Sequence, residues 1–452
     1  GVVLRDGKPY RGIGVNYFDA FTRTLEDGGD TSYRKGFETL AARGIPFARL
    51  NFSGFYPVNW RLYFDNREEY FRRMDGVVKA AEETGIGLIP SVHFASAFVC
   101  DMVEEPQSAW GNPDSKTIAF MRDYVREVVT RYRDSRAVWA WEFANEFNLG
   151  VDLPNAAECR PPVAPEYGTA KSRSAADDLT HDMMIVAFRE FGRAVREHDK
   201  TRLVTHGASL PRPSAEHLRA SRSWTPDSPE EFQKNLTDFT PDPIDLVSVH
   251  LYPFDKERFG RKDVPYEETL GLCMEACRRM GKPLFVGEFG ATDEQTGGPE
   301  RTRREFEDLV RAIEKCAVPL SADSRRRKSS GVSMGTTSSS RVTPNSAGVT
   351  PRAASQAAKC DRAAAESPIR PAVISSEKLN GVPGAQSRRV ASANAFRNRV
   401  ATSSRVAPGS KRTEWVWPGT VNGNRFVMPG KPLPTVLNPS SHSTSASRSL
   451  SS

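Results

Sequence analysis

Short apolar runs alternate with longer amphipathic stretches along residues 12–316, and this alternation restricts the possible folds more than any other feature of the sequence. The short runs are rich in β-branched and aromatic residues, which is typical of strands buried on both faces of a parallel sheet. The amphipathic stretches have a helical period and are long enough to cross over between parallel strands. About eight such units in roughly 250 residues are typical of a closed barrel. The pattern therefore predicts an α/β fold, a (β/α)8 TIM barrel.

The individual elements can be placed by residue number. The predicted strands cover residues 12–16, 46–51, 87–93, the apolar run that opens 138–148, and then 202–205, 245–252 and 283–288. The predicted helices cover residues 33–43, 67–84, 116–132, 179–198, 266–280 and 302–316. Before the first strand, Asp6 and Gly7 predict a tight turn between residues 2–4 and 9–11. We therefore expect an N-terminal hairpin that leads into the barrel.

The pattern fails at the eighth unit. Residues 317–322 start like a strand but run directly into a basic segment, and from there to about residue 412 the chain is mainly Ser, Ala, Arg, Pro and Thr. This composition is typical of a disordered segment that buries no core. We expect a barrel over residues 1–322 with an incomplete or interrupted eighth unit, followed by a disordered, low-complexity basic tail over residues 323–452. Three explanations stay open: Trp415 or Trp417 returns to complete the barrel, the chain is an incomplete copy of its fold, or the tail is not native sequence.

Charge is distributed unevenly between these two parts. Residues 1–322 contain 43 Lys+Arg and 51 Asp+Glu, whereas residues 323–452 contain 20 and 5. The acidic balance of the barrel argues against a nucleic-acid partner there, while the basic tail would be attracted to anionic polymers or surfaces. The six cysteines lack the paired spacing of a zinc site, and no apolar run is long enough to span a bilayer.

Polar side chains collect at the carboxyl ends of the predicted strands. The stretch VWAWEFANEFN over residues 138–148 ends in Asn145 and Glu146, and PLFVGEFG places Glu288 at the end of the seventh strand. In barrel enzymes this face carries the chemistry. The other polar groups at strand ends are Asn16, Tyr17, Arg49, Asn51, His93, His206, His250 and Tyr252. We therefore expect two carboxylates to face each other across the barrel mouth, with a cleft built from the long stretches 149–178 and 207–244.

This constellation resembles glycoside hydrolase family 5 and its relatives among the retaining (β/α)8 glycosidases. The resemblance covers about residues 1–322, and its motifs are RLN around Arg49, SVHF around His93, WEFANEF around Glu146, SVHLYP around His250 and Tyr252, and VGEFG around Glu288. It implies retaining hydrolysis of β-1,4-glycosidic bonds in a plant-type polysaccharide, a glucan or a mannan, without a cofactor. Glu146 would be the general acid/base and Glu288 the nucleophile, the two carboxyls that this reaction requires.

The resemblance also implies roles for the neighbouring polar groups. Asn145 would bind the sugar 2-hydroxyl, since an amide donates and accepts at once. Arg49 and Tyr252 would hold the nucleophile in its ionised form, and His93 and His250 would line the subsite at the scissile bond. The eighth strand of such enzymes carries a Trp that forms the floor of this subsite, and no Trp follows residues 317–322 here.

Several of these residues have plainer explanations. Glu142 points the same way as Glu146 along a strand, and we expect it to be an interior carboxylate paired with Arg49. His206 is expected to be structural. Candidate sugar-stacking platforms are Tyr17, Phe18, Phe55, Tyr56, Trp60, Trp110 and Trp224. We favour Trp60 and Trp110, which lie beside predicted turns, although a loop Trp often covers the core instead.

Other functions compete with hydrolysis. A metal site built from His93, His250, Glu146 and Glu288 is conceivable, but no close-spaced His pair supports it, and we expect no metal. The disrupted eighth unit favours a catalytically weak or inactive carbohydrate-binding barrel instead. On the leading interpretation we expect a monomer with a polysaccharide or oligosaccharide substrate. The compartment stays open from the sequence, and the implied substrate favours a secreted or periplasmic location.

Overall fold

Eight parallel strands form the centre of the protein, for which a computed structural model describes residues 1–324. In chain order the strands are β1 Gly12–Asn16, β2 Phe47–Asn51, β3 Gly87–Ser91, β4 Ala140–Glu142, β5 Leu203–Thr205, β6 Val247–Leu251, β7 Leu284–Phe289 and β8 Leu320–Asp323. Their side chains are largely buried because helices cover the outer face of the sheet and other strands cover the inner face. The alternation of short apolar runs with helices is confirmed as a TIM barrel.

The strands follow one another around a ring. Their order in the sheet is β5-β4-β3-β2-β1-β8-β7-β6. A parallel bridge between Thr205 and Leu246 joins the two ends of this sheet, so the barrel is nearly closed.

The eighth strand is present and lies close to where the sequence begins to resemble one. Leu320 pairs with Gly12 of β1 on one side and with Phe285 of β7 on the other, so β8 bridges the first and seventh strands. The eighth unit, which we expected to be incomplete or interrupted, therefore does contain its strand. The strand is only four residues long, and a basic segment follows it directly. Its apolar run is therefore too short to be clear in the sequence. Trp415 and Trp417 lie outside the described residues.

Long helices connect the strands on the outside. They are α1 Ser32–Ala42, α2 Arg67–Thr84, α3 Lys116–Tyr132, α4 His181–His198, α5 Pro229–Asp238, α6 Tyr266–Met280 and α7 Pro299–Lys315. Shorter α-helices are Thr22–Glu26, Arg61–Asp65, Ala97–Met102, Ala156–Cys159, Ala215–Ser221 and Asp293–Thr296. Single 3-10 turns are Pro57–Trp60, Gln107–Gly111, Phe147–Gly150, Pro165–Tyr167, Ala175–Asp177 and Pro253–Lys256. Within residues 1–324 no helix combines the length and the apolar character that a membrane crossing requires.

The sequence marks the ends of these helices. In α2 the side chain of Asn66 accepts a hydrogen bond from the backbone N–H of Glu69, which caps the amino end. Gly85 follows the helix with φ +72°, a left-handed conformation that glycine adopts at low cost. These two signals explain why the predicted bounds of α2 agree with the structure.

The N-terminal hairpin covers the amino-terminal end of the barrel. Leu4–Arg5 pairs with Lys8–Pro9, and both Asp6 and Gly7 have positive φ values, as the predicted tight turn requires. Val3 packs against the first inward-facing side chains of the strands, which include Phe47, Ile89, Ala140, Leu246, Phe285 and Leu320. This end of the barrel is therefore closed by an apolar layer. The polar groups of a candidate site are instead found at the carboxyl ends of the strands.

Candidate active site

Arg49, near the end of β2, lies at the centre of the polar groups in the barrel mouth. Its side chain is fully buried, and its Nη1 atom donates to Oε1 of Glu288 at 2.8 Å. Nη2 donates to Oδ1 of Asn145 at 2.9 Å, while Nη1 also donates to Oδ1 of Asn16 at 3.1 Å. The remaining edge of the guanidinium pairs with Glu142. The predicted pairing of Arg49 with Glu142 is therefore confirmed.

Glu288 is held by donors on both of its oxygens. Arg49 donates to Oε1, and the hydroxyl of Tyr252 donates to Oε2 at 2.5 Å. Burial raises the pKa of this carboxyl, but the charges of His250 and Arg49 and the Tyr252 hydrogen bond outweigh burial and hold the pKa below its usual value. Glu288 is thus an ionised, rigidly oriented carboxylate near neutral pH.

Glu146 faces Glu288 from the loop that follows β4. Its backbone is left-handed, with φ +52°, which turns the chain sharply at the end of the strand. Oε1 of Glu146 lies 2.9 Å from Nδ1 of His250, and the ligating atoms of Glu146, His250 and Glu288 all lie within 4.8 Å of one another. The structure therefore brings the two predicted carboxylates together, with Asn145, Arg49, His250 and Tyr252 around them.

A cleft with a cavity volume of about 160 Å³ opens beside Glu146. Aromatic rings from the loops after β2 and β3 form one wall, and residues from the long stretch after β4 form the other. The lining includes Phe55, Tyr56, Phe94, Phe98, Asn145, Glu146, Phe147, Leu149, Arg160, Pro161, Pro162, Leu179 and Arg212. The sequence correctly indicated that the long stretch after β4 builds a cleft, and it named Phe55 and Tyr56 as candidate platforms.

Three predicted site residues lie away from this cleft. Trp60 and Trp110 are buried in 3-10 turns with 1% and 0% of their surface exposed, so neither indole offers a face to a sugar. The ring of His93 is also fully buried, and it packs against Trp60, Tyr124 and Phe143. Burial lowers the pKa of His93 to about 3. These positions correct the prediction that the three side chains contact the substrate.

Other residues join the site without having been singled out. Phe94 follows His93, lines the cleft and lies under the guanidinium of Arg49. Ser324 comes directly after β8, and its hydroxyl accepts a hydrogen bond from Nδ2 of Asn16 at 2.7 Å. The position of Phe94 next to His93, at the end of a predicted strand, could have identified it as a site residue. Ser324 carries no comparable signal in the sequence.

The carboxylates do not fit a metal ion. Both oxygens of Glu288 already accept hydrogen bonds, and the guanidinium of Arg49 would repel a cation at this position. A second group, His217, Asp227 and Glu231, also has ligating atoms within 4.8 Å. Its carboxylates accept backbone N–H groups at the start of two helices, so they act as helix caps.

Comparison with known proteins gives matches that agree with one another. A family model described as cellulase (glycosyl hydrolase family 5) matches residues 5–319. Mannan endo-1,4-beta-mannosidase A from Aspergillus aculeatus is 25% identical over 230 residues, which are 49% of this chain and 51% of that protein. Mannan endo-1,4-beta-mannosidase F from Aspergillus clavatus is 26% identical over 234 residues, 50% of this chain and 45% of that protein. The chain thus spans about half the length of the curated relatives it matches.

A solved structure supports the fold. The endo-1,4-beta-mannanase from Rhizomucor miehei superimposes with a TM-score of 0.51 and 15% sequence identity, over 71% of this chain and 88% of that chain. At this level of identity the likeness concerns the barrel alone.

Proposed function

Because the chain belongs to glycosyl hydrolase family 5, we propose that it hydrolyses β-1,4-glycosidic bonds of a mannan or glucan with retention of configuration. The observation that carries this proposal is the pair Glu146 and Glu288, which have different surroundings and of which one carboxylate oxygen each lies within 4.8 Å of the other. Retaining enzymes use two carboxyls roughly 5–5.5 Å apart. A polymeric substrate of this kind also favours action outside the cell.

The surroundings of the two carboxyls give them different roles. Glu288, kept ionised by Arg49 and Tyr252, attacks the anomeric carbon as the bond to the leaving oxygen breaks, and Glu146 donates a proton to that oxygen. Water then attacks the glycosyl–Glu288 ester and transfers its proton to Glu146, which releases the sugar and restores both carboxyls. His250 orients Glu146 through its Nδ1 atom.

Asn145 completes the reacting centre in this proposal. Its Oδ1 is held by Arg49, which leaves its amide N–H groups to donate to the sugar 2-hydroxyl. The aromatic side chains Phe55, Tyr56 and Phe98 lie in the cleft beside Glu146 and would contact the leaving part of the substrate. The named activity of the curated relatives favours mannan over glucan.

The proposal is tested by measuring reducing-sugar release from a panel of β-mannan, β-glucan and xylan. We expect release from mannan or glucan. A double variant, Glu146→Gln with Glu288→Gln, serves as the control because it keeps the shape of the site while removing both carboxyls. Release that is equal in the two proteins would contradict the proposal.

A second candidate is a barrel that binds carbohydrate without cleaving it. Ser324 favours it, because this small side chain follows β8 where the resemblance implies a Trp beneath the reacting sugar. Folded protein that is retained on a mannan or glucan matrix but releases no sugar from it would support this candidate over hydrolysis.

Tyr252→Phe tests the electrostatics of the nucleophile. The substitution removes the hydrogen bond to Oε2 of Glu288, so the pKa of Glu288 rises. Since Glu288 must be ionised to attack, the acid limb of the profile of kcat/KM against pH is expected to move to higher pH. An unchanged profile in the folded variant would show that Tyr252 does not tune Glu288.

Chelation tests the metal alternative. Dialysis against EDTA is expected to leave the rate of sugar release unchanged, because Arg49 and Tyr252 occupy the oxygens of Glu288 that a metal would require. A loss of activity that is restored by a divalent cation would contradict this assignment of the site.

A further inference from the structure

A buried carboxylate that takes no part in the proposed reaction lies directly beneath the site. The side chain of Glu142, at the end of β4, is fully buried. Both of its oxygens accept hydrogen bonds from Nε of Arg49, at 2.9 and 2.8 Å, and Oε1 lies 2.7 Å from Nη2. The opposite corner of the same guanidinium donates to Glu288 at 2.8 Å. One positive charge is therefore shared between two carboxylates.

The surrounding backbone holds Glu142 in this position. Its strand neighbours are Ser91 of β3 and Thr205 of β5. Gly207 approaches so closely that an added methyl group would lie 2.8 Å from Cδ of Glu142 and 1.9 Å from the carbonyl oxygen of Ala144. The backbone of Gly207 thus closes one side of the space around the Glu142 carboxylate.

The negative charge of Glu142 needs an explanation beyond holding Arg49. Burying a carboxylate costs several kcal/mol, and attraction to one guanidinium offsets this cost only when the geometry is good. Arg49 already has Glu288, Asn145 and Asn16 as partners. A neutral glutamine would accept hydrogen bonds from Arg49 at a smaller desolvation cost.

We propose that Glu142 is a positioning residue that fixes the guanidinium of Arg49 and takes up part of its positive charge, which keeps Glu288 reactive as a nucleophile. This inference rests on the proposed function. A guanidinium paired with Glu288 alone would stabilise the carboxylate in the ground state more than in the transition state, where its charge is being lost, and this slows attack. Sharing the charge with Glu142 keeps Glu288 ionised without suppressing its reactivity.

The direction in which the pKa of Glu288 changes when Glu142 loses its charge distinguishes charge sharing from a merely structural role. Glu288 is faced by Arg49 from β2, His250 from β6, and Tyr252 and Glu146 from the loops after β6 and β4. If Glu142 loses its charge while these groups stay in place, the full charge of Arg49 acts on Glu288 and the pKa of Glu288 falls further. If Glu142 only orients Arg49, its loss lets the guanidinium withdraw and the pKa of Glu288 rises.

The test is Glu142→Gln, assayed across pH on the polymer that the unaltered protein cleaves fastest. We expect kcat to fall by about 10-fold, because the unshared charge of Arg49 stabilises the Glu288 carboxylate more in the ground state than in the transition state, with little change in KM. The acid limb of the profile of kcat/KM is expected to move to lower pH. Glu142→Asp keeps the charge and should leave the acid limb in place. This variant can still be assayed if the glutamine variant does not fold.

A matched control is Glu190→Gln in α4. Glu190 is also a buried carboxylate, with 6% of its surface exposed, and it pairs with Arg122 and Arg193 outside the barrel. We expect this substitution to leave both the kcat and the pH profile unchanged. The pKa of Glu288 can also be followed without turnover by carbon-13 NMR of glutamate-labelled protein, with Glu288→Ala identifying the signal.

The outcomes separate this inference from the proposed function. Charge sharing is overturned if the acid limb of folded Glu142→Gln stays in place or moves to higher pH. It is also overturned if the acid limb of Glu142→Asp moves to lower pH. Such a result together with an inactive Glu288→Ala leaves hydrolysis standing and contradicts the role of Glu142 alone. Full activity in Glu288→Ala contradicts the proposed function itself.

Discussion

Replacing Glu288 with alanine is expected to lower kcat on the preferred polymer by roughly 10⁴-fold or more, since the reaction loses its nucleophile and no neighbouring group replaces it. The variant should fold, because alanine removes a buried charge and leaves Arg49 paired with Glu142. Reducing-sugar release and a thermal unfolding curve, measured on the same preparation, test the two expectations together.

Sodium azide provides a sharper test of the same role. A small anion can enter the space left by the carboxylate and attack the anomeric carbon of an aryl β-glycoside with a good leaving group. We expect azide to restore part of the activity of Glu288→Ala and to give a glycosyl azide of inverted, α configuration. Rescue of Glu146→Ala instead, with the α product, would show that the roles of the two carboxyls are reversed.

Arg49→Met is expected to destabilise the fold by about 3–5 kcal/mol and to abolish activity. The substitution removes the guanidinium from the buried carboxylates Glu142 and Glu288, and removing one partner of a buried ion pair carries a cost of this size. Chemical denaturation measures the change in the free energy of unfolding. Arg279→Met, which breaks an exposed pair with Glu275, is the matched control and should change stability by no more than about 0.5 kcal/mol.

The stability deficit of Arg49→Met should also depend on pH. In the unaltered protein the pKa of Glu288 lies below its unfolded value, so this group contributes stability at higher pH that is lost as the pH falls. Without Arg49 the pKa of Glu288 rises, because the charge and the hydrogen bond of the guanidinium both lower it, so the variant gains less stability from this group at higher pH. The deficit should therefore be larger near about pH 8 than near about pH 4. A deficit that is independent of pH would indicate lost packing rather than unpaired charge.

Regular periodicity made most of the barrel predictable from sequence. The helices α2, α3 and α6 begin and end at the predicted residues, because amphipathic spacing and caps are local signals. Asn145, Glu146 and Glu288 were found for a related reason, since they interrupt apolar runs where strands end. Their meeting depends only on parallel strands having their carboxyl ends on one face.

The failed predictions concern where a side chain points after a strand or helix has ended. β3 stops at Ser91, so the alternation of faces along the strand no longer applies at His93, and the turn carries its ring into the aromatic core. Trp60 and Trp110 lie beside turn residues, but each turn is a short 3-10 helix that buries its indole. Such orientations depend on tertiary packing, which no local pattern records.

The amide of Asn16 ties the first strand to the carbonyl of Ala322 and the hydroxyl of Ser324, more than 300 residues away in the chain. The same side chain accepts a hydrogen bond from Arg49, which holds Glu288. One side chain therefore connects the first strand, the chain at the end of β8 and the groups that hold Glu288. A chain that ends before β8 would lack the contacts of Asn16 with Ala322 and Ser324, so we expect the arrangement of Arg49 and Glu288 to depend on the last strand of the barrel being made.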